Sequence, residues 1–214
     1  CVRTVFFKRN SMKVFALLSA LLITSAILVS CYDHGDHPAD FSYEEIELIS
    51  SGTSNDRMRV LNYFNYDDSL ILRKNSGNVN DFGSFYLKLL KDRMYKTVTN
   101  PANPGVGIAA PQVGVSKRII WVKRYDKSGS PFECYINSYI SAYSDTLKLR
   151  SDGCLSIPGV SGSSWRAIWV DIEYDKPDGT HCTEHISHEY TAHIFQHEID
   201  HLNGVVFLDR NIEP

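Results

Sequence analysis

Between Gln196 and Gly204 the chain reads Gln-His-Glu-Ile-Asp-His-Leu-Asn-Gly, and no other stretch narrows the possible folds as far. His197 and His201 stand four residues apart, a spacing that puts two imidazoles one turn apart on one face of a helix. Glu198 follows the first histidine directly, close enough to work on a water at a metal rather than bind the ion itself. Two histidines are one donor short of the three protein ligands of a catalytic zinc-type centre, whose fourth position is left for water. The segment Ser151-Asp152-Gly153-Cys154-Leu155-Ser156 supplies a candidate, because a thiolate at Cys154 would complete a Cys-His-His set.

Three segments in order, Gly105-Val106-Gly107-Ile108-Ala109-Ala110-Pro111-Gln112, Asp152-Gly153-Cys154-Leu155-Ser156 and Gln196-His197-Glu198-Ile199-Asp200-His201, resemble the signature motifs of peptide deformylases. The family writes them G-x-G-(aliphatic)-A-A-x-Q, E-G-C-L-S and Q-H-E-x-D-H, with similar gaps. The resemblance runs from about Arg59 to Asp209. It implies a hydrolase that removes the N-formyl group from the N-terminal, methionyl residue of peptides, using one divalent ion held by Cys154, His197 and His201. Ferrous iron is the ion the resemblance suggests. Zinc also suits the donor set and has no redox chemistry to lose outside a reducing compartment. Glu198 is then the proton carrier. The Gln112 side-chain amide and the backbone N–H of Leu155 are the oxyanion donors. Gly105, Val106 and Gly107 form a backbone edge for an extended peptide. The pocket for the first side chain draws on Arg150, Tyr190, His193 and Ile194. Arg166 pairs with the acidic residue of the second motif.

Three departures from the family pattern stand out. Asp152 replaces a glutamate, so the contact with Arg166 must be made by a side chain one methylene shorter. Residues Asn100 to Pro104 read as a small insertion beside the cleft. Arg150, Tyr190 and His193 bring polar groups to a pocket that the family keeps apolar, which weakens the expectation of a methionine preference.

The first quarter of the chain points to a destination. Lys13 precedes an apolar run from Val14 to Val29, near the lower limit for a membrane span and placed where a signal segment sits. Leu28-Val29-Ser30-Cys31 resembles a bacterial lipobox, with Cys31 as the lipidated residue; an uncleaved anchor helix is the alternative. Residues 1–11, ahead of Met12, read as translated upstream sequence, 12–31 as the signal, 32–58 as a flexible tether and 59–214 as the catalytic domain. This organisation implies a membrane-anchored protein outside the cytoplasm, and a cytoplasmic one if the signal reading fails. Removing the signal leaves roughly 180 residues, enough for one domain with a sizeable core. A formal net charge of −3 gives no footprint for nucleic acid, and a monomer is expected. Cys134 and Cys182 are expected as free thiols, with pairing left open.

Hydrophobic spacing predicts a helix from Phe82 to Val98 capped by Asp81, and strands over Arg118–Val122, Phe132–Ile136 and Ala167–Tyr174. Ser187 is placed as the cap of a helix running to Leu202, with Gly204 just beyond its end. Strands and helices without a βαβ rhythm predict an α+β domain: antiparallel or mixed sheets around a central helix carrying the histidines. Each candidate has a plainer role. Cys154 would be a buried small hydrophobe, His193 a core or pocket residue, and His181, His185 and His188 surface residues. His34 and His37 would be solvated. Two further functions stay open, an exported metallopeptidase or N-deacylase with an altered pocket, and a non-catalytic peptide-binding lipoprotein. A pure binder would have no use for Glu198.

Overall fold

Helix α4, Glu189–Leu202, runs through the middle of the domain, and every residue from Thr191 to Leu202 is buried. A helix covered on all sides normally carries apolar residues throughout. This one buries Gln196, His197, Glu198, Asp200 and His201 as well, so its surroundings must supply polar partners. The computed structural model describes residues 40–210. The segment ahead of Met12, the apolar run 14–29, His34, His37 and Cys31 lie outside the described residues.

Around α4 are helices α1 (Tyr43–Ser50), α2 (Tyr66–Leu72) and α3 (Phe85–Val98), and strands β1 (Gly107–Ala109), β2 (Ile119–Lys123), β3 (Phe132–Tyr143), β4 (Leu147–Gly153), β5 (Ser161–Ala167), β6 (Val170–Asp175) and β7 (His181–Ile186). Five strands form an antiparallel sheet in the order β1-β2-β3-β6-β7, and β4 pairs with β5 as a separate hairpin. The α+β expectation therefore holds. Buried Ile120, Val122, Tyr135, Val170 and Ile172 from the sheet meet Ala192, Ile194, Phe195 and Ile199 of α4 in one core. A second core gathers Ile49, Leu87, Leu90, Met94, Val98, Ile108 and Ile119 around α3. Among the described residues no helix is long and apolar enough to cross a membrane.

Several local expectations shift. Helix α3 starts at Phe85 rather than Phe82, because the Ser84 hydroxyl accepts the Leu87 N–H, whereas Asp81 closes a turn by accepting from Gly83 N–H at 2.9 Å. The strand expected over Phe132–Ile136 continues to Tyr143 past a register shift at Asn137, whose φ of 53° suits asparagine. The single strand expected over Ala167–Tyr174 is two: β5 ends at Ala167 and β6 starts at Val170. Between them Ile168 N–H donates to the Ser144 hydroxyl at 3.0 Å as the chain passes from hairpin to sheet. Helix α4 is capped by His188, whose Nδ1 accepts the Thr191 N–H at 3.2 Å, and not by Ser187. Gly204 does follow its end, at φ 71°.

The expectation of a tether as far as residue 58 is corrected. Ser42 and Glu45 form a capping box for α1, and Ile49 is fully buried. The buried Arg93 of α3 donates to the carbonyl oxygens of Leu48 and Ile49 at 3.0 and 2.8 Å, tying the end of α1 to the core. Asp40, also buried, accepts the backbone N–H groups of Asn80 and Asp81.

Candidate active site

Helical spacing delivers what it promised. His197 and His201 project from one face of α4 with ring centroids 5.0 Å apart. Cys154 follows the end of β4, and its Sγ lies 3.2 Å from His201 Nε2. Donor atoms of Cys154, His197 and His201 all fall within 4.8 Å of one another. With ligand distances of about 2.0–2.3 Å, one ion can touch all three, and two nitrogens with one sulfur suit a zinc- or iron-type centre. The sulfur also accepts from Ser156 N–H at 3.4 Å and Gln112 Nε2 at 3.3 Å.

Asp152 organises the surroundings. One carboxylate oxygen sits 2.8 Å from His197 Nδ1, which leaves the Nε2 of that ring for a metal. The other accepts from Ser164 Oγ at 2.7 Å and from Arg166 Nη2 at 3.1 Å. Arg166 donates onward to Asp200 at 2.8 Å, and Asp200 accepts from Arg210 at 2.6 Å. The shorter aspartate therefore makes the contact that the family's glutamate is expected to make. Burial would raise the Asp152 carboxyl, but the hydrogen bonds from His193 and His197 and the charge of Arg166 outweigh it, holding the group well below the usual carboxylate range. Burial likewise pulls His197 down, and its hydrogen bonds to Asp152 and Cys154 more than reverse this, so it sits well above the usual histidine range. His201 is driven well below that range by burial and by the neighbouring charge of His197.

Glu198 lies against β1. A Cβ on Gly107 would fall 2.7 Å from the Glu198 carboxyl carbon and 2.8 Å from its Cγ, so only glycine leaves room there. The Glu198 Oε2 is buried with no hydrogen-bond partner among the described residues, and burial lifts the carboxyl to about 7. Gln112, on the short 3₁₀ turn Ala110–Val113, is held by accepting the Ala109 N–H at 2.8 Å, and its amide nitrogen then faces Cys154.

These groups line a cavity of about 430 Å³. Gly105, Val106 and Gly107 form one wall, Gly153 and Leu155 another, and Tyr190, His193 and Ile194 belong to α4. Asn103 and Pro104, from the expected insertion, also reach it. Arg150 does not line the cavity: its guanidinium pairs with Glu189, which also binds Lys148 at 2.6 Å. The expectation that Arg150 is a pocket residue is corrected on this ground. Ile157, Pro158, Gly159 and Val160, absent from the sequence-based set, contribute apolar wall instead. Their apolar run around a Pro-Gly pair, directly after the second motif, was the available signal. His181 and His185 are exposed beside Asp175 and Asp171, as surface positions should be. Cys134 and Cys182 form no disulfide among the described residues.

An α+β fold with three convergent metal donors, a carboxylate beside the first of them and an amide donor opposite defines a mononuclear metallohydrolase. The chain belongs to the polypeptide deformylase family, whose profile residues 60–214 match. It is 43% identical over 147 residues to the peptide deformylase of Symbiobacterium thermophilum, which covers 67% of this chain and 64% of that protein's length. The Finegoldia magna peptide deformylase is 34% identical over 152 residues, covering 71% of this chain and 90% of that protein. Among solved structures, the Thermotoga maritima peptide deformylase superposes with a TM-score of 0.64 at 32% identity, covering 73% of this chain and 99% of that one. A Met-Ala-Ser-bound class I type b peptide deformylase from Acinetobacter baumannii superposes with a TM-score of 0.63 at 32% identity, covering 72% of this chain and 99% of that one.

Proposed function

We propose that this chain hydrolyses the amide bond between a formyl group and the first residue of a peptide, with Glu198 carrying the proton. The observation that carries the reading is the Glu198 carboxyl: buried, without a partner for Oε2 among the described residues, beside three convergent metal donors and raised to about 7. Cys154, His197 and His201 would hold a divalent ion, which when bound would supply Lewis acidity and bring the pKa of water toward ~7. Glu198 takes a proton from the attacking water at Oε2 and returns it to the leaving amine. The Gln112 amide and the Leu155 backbone N–H meet the oxyanion that develops on the formyl oxygen, and losing one such donor typically costs ~2.7–4 kcal/mol of barrier. Asp152 keeps the His197 ring turned so that Nε2 stays available. The Gly105–Gly107 edge and Gly153 flank the cavity and suit an extended peptide backbone held in β fashion.

The test is metal analysis of the purified protein together with turnover of formyl-Met-Ala-Ser. Glu198→Gln should abolish turnover while metal content stays near one per chain. Loss of the ion in that variant would overturn the role given to Glu198.

For the N-terminal region we propose lipidation at Cys31 and tethering outside the cytoplasm, supported by the apolar run before Leu28-Val29-Ser30-Cys31. Clickable fatty-acid labelling that disappears in Cys31→Ala tests it. A wild-type protein found unlabelled in the cytoplasm rules it out.

A further inference from the structure

We infer that Arg57 holds the free C-terminal carboxylate of the substrate, so that short formylated peptides, rather than the start of a long chain, are the preferred class. The inference rests on the deformylation reading and adds to it the length and the far end of the substrate. A second cavity, of about 150 Å³, adjoins the first. Asn103 and Leu155 line both, while Arg57 and Asn100 belong to the second.

The contacts between the two cavities are close. A Cβ on Gly105 would fall 3.0 Å from Leu155 Cδ1 and 3.0 Å from Val98 Cγ2, so the peptide edge, Leu155 and the end of α3 touch. Gly105 N–H donates to the Val98 carbonyl at 2.9 Å, and Asn103 N–H to the Asn100 carbonyl at 3.0 Å. On the other side of α3, Met58 N–H donates to Thr97 Oγ1 at 2.9 Å, and Arg93 Nη2 to the Arg57 carbonyl at 3.3 Å. The backbone of Arg57 is therefore pinned to the same helix end that carries the rim of the cleft.

Its side chain is another matter. The guanidinium is exposed and has no hydrogen-bond or ion-pair partner among the described residues. Every other described arginine donates to a partner within the protein. Asn100 Oδ1 accepts the Ala102 N–H at 3.2 Å, and the amide N–H groups of Asn100 have no partner among the described residues. No carboxylate lines this second cavity. A guanidinium and carboxamide donors without an acid beside them suit an anion, and a peptide can bring a carboxylate.

The Gly105–Gly107 edge sets the distance. Extended chains lying side by side each advance about 3.3 Å per residue, so they pair one for one. With the formylated residue opposite Gly107, beside Glu198, the third peptide residue falls opposite Gly105 and the fifth opposite Asn103. A free carboxylate therefore comes to Arg57 when the peptide has roughly three to five residues. A longer chain has a peptide bond there and gains no ion pair. An acidic side chain at the same place would offer the same chemistry, so the test must separate the two sources.

The experiment measures kcat/KM of the metal-loaded enzyme for formyl-Met-Ala-Ser, its extensions by one and two alanines, and an octapeptide, each as free acid and as C-terminal amide. One of the short acids should exceed its amide by about fivefold, through KM and less so at high salt, as an exposed ion pair is screened. The octapeptide pair should be equal. Arg57→Gln should bring the acid-to-amide ratio to about one, and Arg57→Lys should keep part of it. Melting temperature is measured alongside and should not move, because the guanidinium contacts nothing in the fold. Acids and amides cleaved alike at every length, or a ratio that survives Arg57→Gln, overturns the inference. An equal gain from an amide ending in aspartate assigns the carboxylate to a side chain and overturns the preference for short free peptides. If the loaded enzyme cleaves no formyl peptide, the deformylation reading fails, and calorimetric binding of the deformylated acids and amides still decides the role of Arg57.

Discussion

Replacing Gly107 with alanine adds a single methyl group where the structure leaves no space for one. The new Cβ would lie 2.7 Å from the Glu198 carboxyl carbon, far inside the ~3.5–4.0 Å at which carbon atoms pack comfortably. An exposed glutamate would swing aside, but Glu198 is 3% exposed and sits on a helix buried on all sides. The carboxylate must therefore move by roughly an ångström within the site, or β1 must shift away from β2, with which Gly107 pairs opposite Val122. A displacement of that size typically costs about 10²-fold in rate, and full loss of general-base function 10²–10⁴-fold. Gly107→Ala should lower kcat on formyl-Met-Ala-Ser by roughly two orders of magnitude, with metal content unchanged because no ligand is touched. Melting temperature separates this from general disruption: overpacking costs about 1–3 kcal/mol, which a domain this size survives. A Gly107→Ala enzyme with metal bound and kcat within threefold of wild type would show that Glu198 does not act from this position.

Other outcomes follow from the same geometry. Cys154→Ala should lose the ion, since two histidines remain, and a fully metallated, active variant would mean the third ligand is elsewhere. Arg124 holds the Asp126 carboxyl down to about 2 from an ordinary 3.8, so this pair stabilises the fold above about pH 4 and is lost as pH falls toward 2. Thermal unfolding between pH 4 and 2 should be less pH-dependent in Asp126→Asn than in wild type; parallel curves would refute the assignment. Ile49→Ala should destabilise the domain by about 2–5 kcal/mol in denaturant titration, because the side chain is fully buried. A change under 0.5 kcal/mol would mean that α1 does not pack on the core.

The metal site was legible because its logic is local. The i, i+4 histidine pair, the adjacent glutamate and the short second motif each fix a side chain through a few neighbouring residues, and Cys154, His197, His201 and Glu198 converge as their types demand. What the chain hides depends on distant partners. Arg150 looked like pocket lining until Glu189, 39 residues away, drew its guanidinium aside. Residues 167–170 form one apolar run in sequence, yet the chain changes sheets within it, a choice made by Ser144 and Trp169 across 25 residues. Helix α1 was masked by composition: Glu44, Glu45 and Glu47 gave the segment the look of a solvated spacer, while Ile49 alone among its residues is buried. His188 outcompeted Ser187 as a cap because an imidazole nitrogen can accept the Thr191 N–H as a hydroxyl would.

The carboxylate and guanidinium chain from Asp152 through Arg166 and Asp200 to Arg210 joins hairpin, central helix and C-terminal turn without calling on an ion. Small zinc domains use the metal as their keystone and unfold when a chelator removes it. Here an ionic chain within the protein ties the same elements together, a support that the ion does not supply. Stripping the protein should leave a folded apo form whose site can be refilled, and different divalent ions can then be compared in one and the same scaffold. In such a molecule the choice of metal is a question of supply and chemistry, decoupled from whether the chain can fold.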